Sequence, residues 1–147
     1  MTANAQLEKP PTFVVDDAGG AEAEEIAARL GAHIAARFGP RDETPLHVFV
    51  WDGETLAGGL NGVTHWRWLY IRQLWVAEAA RGRGLGAALI EKAEREAHGR
   101  GCVGAWIDTF EPAVATFYQI RGFVRCGEIP DFPPGAARVF LMKRLGA

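Results

Sequence analysis

The sequence predicts one α+β domain, built on a single mixed, mostly antiparallel central sheet of about six to seven strands flanked by helices. The stretch "LHVFVWDGETLAGGLNGVTHWRWLYIRQLWVAE" is rich in β-branched and aromatic residues and carries Asp52-Gly53 between two apolar runs, which is a hairpin signal. Segments of helical periodicity stand on both sides of it. With 147 residues, 48% hydrophobic and 23% charged, the chain suits a single domain of common size with one core. The domain is expected to span 1–147, with 1–11 a loose lead-in ending in Pro10-Pro11.

"TFVVDD" reads as a short first strand. From Ala21 to Phe38 the residues Ile26, Leu30, Ile34 and Phe38 fall at helical spacing, predicting an amphipathic helix that Gly39-Pro40 stops. Strands are expected near 46–52, 55–64 and 68–76, with Asn61-Gly62 as a competing turn site. Residues 84–98 read as a helix with Leu85, Leu89, Ala93 and Ala97 on one stripe, ended by Gly99 and Gly101. "VGAWIDTF" is a strand, and "EPAVATFYQIRGF" a helix opened by Pro112 and closed at Gly122, with Val114, Phe117 and Tyr118 on its buried side. "FVRCGEI" and "ARVFLMKRL" are two final strands joined through "PDFPPG".

Sixteen Lys+Arg against eighteen Asp+Glu give a net charge of -2, so no basic field favours nucleic acid as a partner. No apolar run approaches the roughly 20 residues of a membrane-spanning helix, and the start lacks the apolar centre of a signal peptide. A cytoplasmic protein without membrane association is expected. Cys102 and Cys126 form no metal or redox spacing and are expected to be core thiols. His33, His47, His65 and His98 show no paired-ligand spacing, so no metal is expected. The absence of serine removes every serine-nucleophile mechanism.

The chemistry-bearing feature is "VAEAARGRGLGAALIEKA", where Gly82, Gly84 and Gly86 alternate with Arg81, Arg83 and Leu85 and lead into the second helix. Such glycines let a backbone approach a ligand closely, and an arginine beside a helix N-terminus favours an anion such as pyrophosphate. The nucleoside-triphosphate loop is excluded because no Lys-Ser or Lys-Thr pair follows the glycines. The dinucleotide pattern Gly-x-Gly-x-x-Gly/Ala is matched by Gly82, Gly84 and Ala87, with Asp108 further on. Antiparallel hairpins upstream and the lack of further strand-helix-strand units count against it.

"RGRGLG" also fits Arg/Gln-x-x-Gly-x-Gly/Ala, and here it resembles the acetyl-CoA loop of the GNAT superfamily of N-acetyltransferases. "LWVAEAARGRGLGAALIEKAEREAHGRGC" and "ATFYQIRGF" resemble that superfamily's central strand, loop and helix and its later tyrosine-bearing helix. The resemblance covers roughly residues 46–145. The ending "GEIPDFPPGAARVFLMKRL" is similar to a bacterial branch of small, mostly uncharacterised members.

The resemblance implies direct acetyl transfer from acetyl-CoA to a primary amine on a small molecule or peptide. It assigns Leu74, Trp75 and Val76 to the donor, with the Val76 N–H stabilising the thioester oxyanion. Arg81, Gly82, Arg83, Gly84, Leu85, Gly86 and Ala87 would hold the pyrophosphate. Tyr118 would be the general acid facing the leaving sulfur, since a phenol of pKa about 10 can hydrogen-bond a thiolate. On periodicity alone Tyr118 is a core residue beside Phe117. The strand "LYIRQLWV" offers no carboxylate base, so Glu111, Asp108, His65 or a water chain stay open for that role. Glu111 stands where relatives carry an Asn touching the cofactor arm, and is counted with the donor residues.

Trp66, Trp68 and Tyr70 form an alternating aromatic set, either core packing or an acceptor wall. Asp131 and Phe132 lie in the loop that covers the acceptor in relatives. A noncatalytic acyl-CoA-binding module and a dinucleotide-binding oxidoreductase are the alternatives, and the C-terminal strands leave an edge on which a homodimer could form.

Overall fold

Asp52-Gly53 turns the chain between β1 (Thr44–Asp52) and β2 (Thr55–His65), and β3 (Trp68–Val76) follows antiparallel to β2. The computed structural model describes residues 9–146. Two units make up the chain, Met1–Pro40 and Arg41–Ala147, and the sheet lies in the second. Among the described residues, no helix is long and apolar enough to cross a membrane.

In the first unit, α1 (Gly20–Phe38) ends where expected, with the Gly39 N–H on the Ala35 carbonyl at 2.9 Å. The expected strand "TFVVDD" does not form. Its Asp16 carboxylate instead accepts the backbone N–H groups of Ala18 and Gly19 at 3.1 and 3.2 Å, turning the chain toward the helix. Those bonds, the Ala18 one foremost, hold the Asp16 carboxyl below the usual carboxylate range. Of the predicted lead-in, residues 1–8 lie outside the described residues and 9–11 have no regular secondary structure.

The second unit adds α2 (Leu85–Gly99), β4 (Gly104–Thr109), α3 (Pro112–Ile120), β5 (Val124–Pro130) and β6 (Ala137–Arg144). The six strands lie in the order β1-β2-β3-β4-β6-β5, and every neighbouring pair is antiparallel except β3 with β4. Asn61-Gly62 is not a turn. Gly62 stands opposite Ile71 and Asn61 opposite Gln73, so Arg72 is the extra residue of a bulge in β3. The bulge shifts the alternation: Leu69 and Ile71 are buried before it, and Leu74 and Val76 pack on the same core after it.

That core joins Leu46, Leu60, Leu69 and Ile71 of the sheet to Leu89, Ile90, Ala93 and Ala97 of α2. Small residues at 93 and 97 let the helix lie close to the strands. Just past its end, the Arg100 guanidinium donates to the Pro45 carbonyl and to the Thr64 hydroxyl, both at 3.1 Å, fastening α2 to β1 and β2. On α3 the core-facing residues are Ala115 and Tyr118, whereas Val114 is exposed and Phe117 half-buried, contrary to the helical stripe read from sequence. A short helix with a free face explains the difference. Cys102 is buried as expected, but Cys126 is exposed, because β5 is an edge strand and Cys126 sits at its irregular register.

At the bulge a Cβ on Gly62 would lie 2.7 Å from the Tyr70 carbonyl oxygen. Gly62→Ala is expected to destabilise the fold by about 1–3 kcal/mol through overpacking against backbone, read as a lower urea midpoint.

Candidate active site

Pairing between β3 and β4 lasts for three residue pairs, ending at Tyr70 opposite Trp106. Beyond that point each strand keeps its outer partner, β3 to Val76 against β2 and β4 to Thr109 against β6, while the two part from each other. A cleft of about 690 Å³ opens into the gap, walled by the ends of both strands, the glycine loop and α3.

The Ala77 N–H bonds the Ala57 carbonyl of β2 at 2.8 Å. Because backbone groups alternate sides along an antiparallel strand, the N–H groups of Val76 and Leu74 point away from β2, toward the gap. The Val76 carbonyl faces the same way, where Arg81 Nε donates to it at 3.2 Å. Arg81 thus ties the glycine loop to the end of β3.

The three loop glycines meet two different demands. Gly82 and Gly84 have φ of 79° and 74°, values that favour glycine. Gly86 is needed for packing, since its Cβ would lie 3.2 Å from the Phe117 ring. Gly84 is the N-cap of α2 and no side-chain oxygen caps the helix, so its first N–H groups are presented beside the cleft. Leu85, Gly86 and Ala87 line it together with Gly82, Gly84 and Arg81. Arg83 does not; its guanidinium stands 3.6 Å from Asp52, with both side chains exposed.

Tyr118 also lines the cleft, yet its side chain is fully buried, edge-on to Phe117 and Phe123 at 5.5 and 5.2 Å between centroids. Among the described residues its hydroxyl has no hydrogen-bond partner. Burial raises the phenol well above its ordinary value, against a smaller opposing effect of the nearby Arg121 charge. The group is therefore a protonated donor with no acceptor among the described residues. Arg121 itself lies over the Phe117 ring at 3.6 Å and lines the cleft.

At the inner end of the gap Asp108 accepts hydrogen bonds from Tyr70 Oη and Arg138 Nη1, both at 2.9 Å. Tyr70 stacks on Trp106 at 3.9 Å, and burial together with Asp108 raises its phenol above the ordinary value. Phe132 covers the Arg138 guanidinium at 4.1 Å, which brings the β5-β6 turn to the same corner. Asp131, beside it, has a positive φ of 56°.

Other residues singled out from the sequence lie elsewhere. Trp68 sits at the far end of β3, packed on Gly104 with Arg144 at 5.2 Å over its ring, and Trp66 is in the β2-β3 turn. Sequence alternation groups these tryptophans with Tyr70, but the cleft opens only after the paired part of β3. Glu111 is the N-cap of α3 and is not among the cleft-lining residues.

Against known proteins, the model of the acetyltransferase (GNAT) family matches residues 8–123. The chain belongs to that family. An acetyltransferase of Agrobacterium fabrum is 40% identical over 134 residues, covering 90% of this chain and 98% of that protein. Blasticidin-S acetyltransferase of Streptomyces morookaense is 44% identical over 91 residues, 61% of this chain and 67% of its own length. The crystal structure of an acetyltransferase from Bacillus cereus matches with a TM-score of 0.83 at 26% identity, covering 90% of this chain and 98% of that one.

The GNAT sheet removes the dinucleotide reading of the loop. β3, α2 and β4 form one strand-helix-strand unit in an otherwise antiparallel sheet, where a dinucleotide fold repeats such units. Sequence reasoning about this acetyltransferase missed Arg121 and placed Phe117 in the core. The available signal was their spacing from Tyr118 on a single helical face, the face that turns out to border the cleft.

Tyr118→Phe removes a buried hydroxyl that has no partner, so the variant is expected to match the parent in stability or exceed it by up to about 1–3 kcal/mol in urea unfolding. The raised phenol makes a second expectation. As pH climbs past about 10 the unfolded chain ionises Tyr118 while the folded chain does not, so stability falls, and the variant should lose that part of the decline.

Proposed function

We propose that this acetyltransferase moves an acetyl group directly from acetyl-CoA to a primary amine of a small molecule or peptide, in the cytoplasm. The reading is supported above all by one observation: the glycine loop, Val76 and Tyr118 line a single cleft at the parting of β3 and β4. Gly82, Gly84 and the first turn of α2 offer N–H groups to a pyrophosphate, and Arg81 holds the loop against β3. The gap gives an extended acyl-bearing arm a place to lie like a missing strand. Leu74 and Trp75 flank it, and the Val76 N–H is the donor to the thioester oxygen.

Tyr118 gives its proton to the departing sulfur. Its burial keeps the phenol neutral, so it is present as a hydrogen-bond donor as negative charge builds on that sulfur. On the acceptor side Tyr70 and Phe132 border the corner at Asp108, and the turn carrying Asp131 and Phe132 is the flank from which the amine enters. The blasticidin-S acetyltransferase of Streptomyces morookaense makes a small-molecule acceptor the first to try.

Thiol release from acetyl-CoA, followed across a panel of amines that includes blasticidin S, polyamines and short peptides, tests the reaction. Turnover with at least one amine is expected; saturable acetyl-CoA binding with no turnover for any of them would convert the protein to a noncatalytic acyl-CoA module. With the best acceptor, Tyr118→Phe should lower kcat roughly tenfold or more while leaving the KM for acetyl-CoA nearly unchanged. Gly84→Val, which forces a β-branched residue to a φ of 74°, should instead raise that KM by about tenfold or more.

A further inference from the structure

We infer that Asp108 is the catalytic residue that takes the proton from the attacking amine, with Tyr70 and Arg138 as the positioning residues that aim its carboxylate; this rests on the acetyl-transfer reading. Among the described residues that line the cleft, Asp108 is the only carboxylate, and no histidine lines it. The other candidates are in the wrong places. Glu111 lies outside the lining at the start of α3, and His65 is at the end of β2, beside the turn that leads into the paired part of β3. The water chain that could replace a side-chain base has no other anionic side chain in the lining to end on.

The position of Asp108 on β4 follows from the register. It is two residues beyond Trp106, the last residue of β4 paired with β3, so its side chain emerges on the face of Trp106 just where the strands have parted. Its two oxygens each hold one donor, Tyr70 Oη on Oδ1 and Arg138 Nη1 on Oδ2, at 2.9 Å. A carboxylate has about four acceptor positions, so two are left. Only 13% of the side chain is exposed, and the residue lines the cleft. Arg138 is fixed in turn, its guanidinium at 4.1 Å over Phe132 and 5.3 Å over Phe110. The carboxylate is thus held between side chains of β3 and β6, with Arg138 fixed in turn by the β5-β6 turn, and keeps acceptor positions that no donor among these contacts takes.

Balance of the step is simple. The nitrogen lone pair forms the C–N bond to the acetyl carbon, and the C–S bonding pair leaves on sulfur. Once attached to that carbon the nitrogen is strongly acidic and passes a proton to Asp108, while Tyr118 protonates the sulfur. Exchange with water then returns Asp108 to carboxylate and Tyr118 to phenol, so the net change is a thioester and an amine becoming an amide and a thiol.

The test uses the full chain and the best amine from the panel. Asp108→Asn should lower kcat by roughly 100-fold or more with the acetyl-CoA KM within about threefold of the parent. Added formate should raise turnover of Asp108→Ala and not of the parent, because a small carboxylate can enter the space left; a merely structural Asp108 predicts no such rescue. If Asp108→Asn does not fold, the pair Asp108→Asn with Arg138→Gln removes both charges together and should show the same loss, while Arg138→Gln alone keeps more than a tenth of kcat. Turnover of Asp108→Asn within threefold of the parent overturns the assignment and leaves acetyl transfer standing. So does a loss of rate matched by a rise in acetyl-CoA KM without formate rescue. A parent enzyme inactive on every amine overturns both.

Discussion

The parting of β3 from β4 is the constraint on which the rest of this protein depends. Two neighbouring strands in a sheet ordinarily satisfy each other's backbone along their whole length, and these two stop after three pairs. Several contacts fix the stopping point. Tyr70 stacks on Trp106 across the last pair, and such a stack contributes about 0.5–1.5 kcal/mol beyond its buried area. Past that pair the strands have different obligations: two residues on, β3 takes a bulge at Arg72 against β2, while β4 continues in regular register with β6. A bulge bends its strand and adds twist, which is the backbone change that accompanies the parting of β3 from β4.

A gap of this kind leaves backbone and side-chain donors without partners, and the chain does little to satisfy them internally. No side-chain oxygen caps α2 at Gly84, and the Tyr118 hydroxyl is buried with no acceptor among the described residues. An unsatisfied buried hydroxyl costs about 1–3 kcal/mol. Aromatic packing on Phe117 and Phe123, together with the core beneath α3, offsets that cost and keeps the ring in place. The folded chain is therefore polarised toward a ligand that brings acceptors of its own. Phosphate oxygens at the loop and a sulfur at the phenol are the two kinds that the proposed donor carries.

How much of this was legible in the sequence varies with the kind of interaction involved. Asp52-Gly53, Pro112 and the run of β-branched residues act locally, so β1, β2, β3 and the start of α3 follow from neighbours in the chain. "TFVVDD" has strand composition, but a strand needs a partner, and Asp16 supplies local bonds that turn the backbone instead. Asn61-Gly62 has turn composition, yet cross-strand pairing on both sides of β2 absorbs it as the partner of a bulge. Cys126 shows the same limit from the other direction: free cysteines are usually buried, and only the strand order reveals that β5 is an edge.

The two sides of the site differ in the same way. The proposed donor side is made largely of backbone: two positive-φ glycines, a third glycine under Phe117, a helix N-terminus and the peptide groups at the end of β3. Glycines are needed at fixed spacing for such a surface, so it can be read along the chain. The corner at Asp108 is made of side chains from β3, β4 and β6 and from the β5-β6 turn, namely Tyr70, Asp108, Arg138 and Phe132, which are scattered in sequence. No spacing rule connects them, because they meet only through the register of the sheet. On the proposed reading, a change at Phe132 in the β5-β6 turn can retune which amine is accepted, whereas a change at Asp108 or in the loop acts on every acceptor alike.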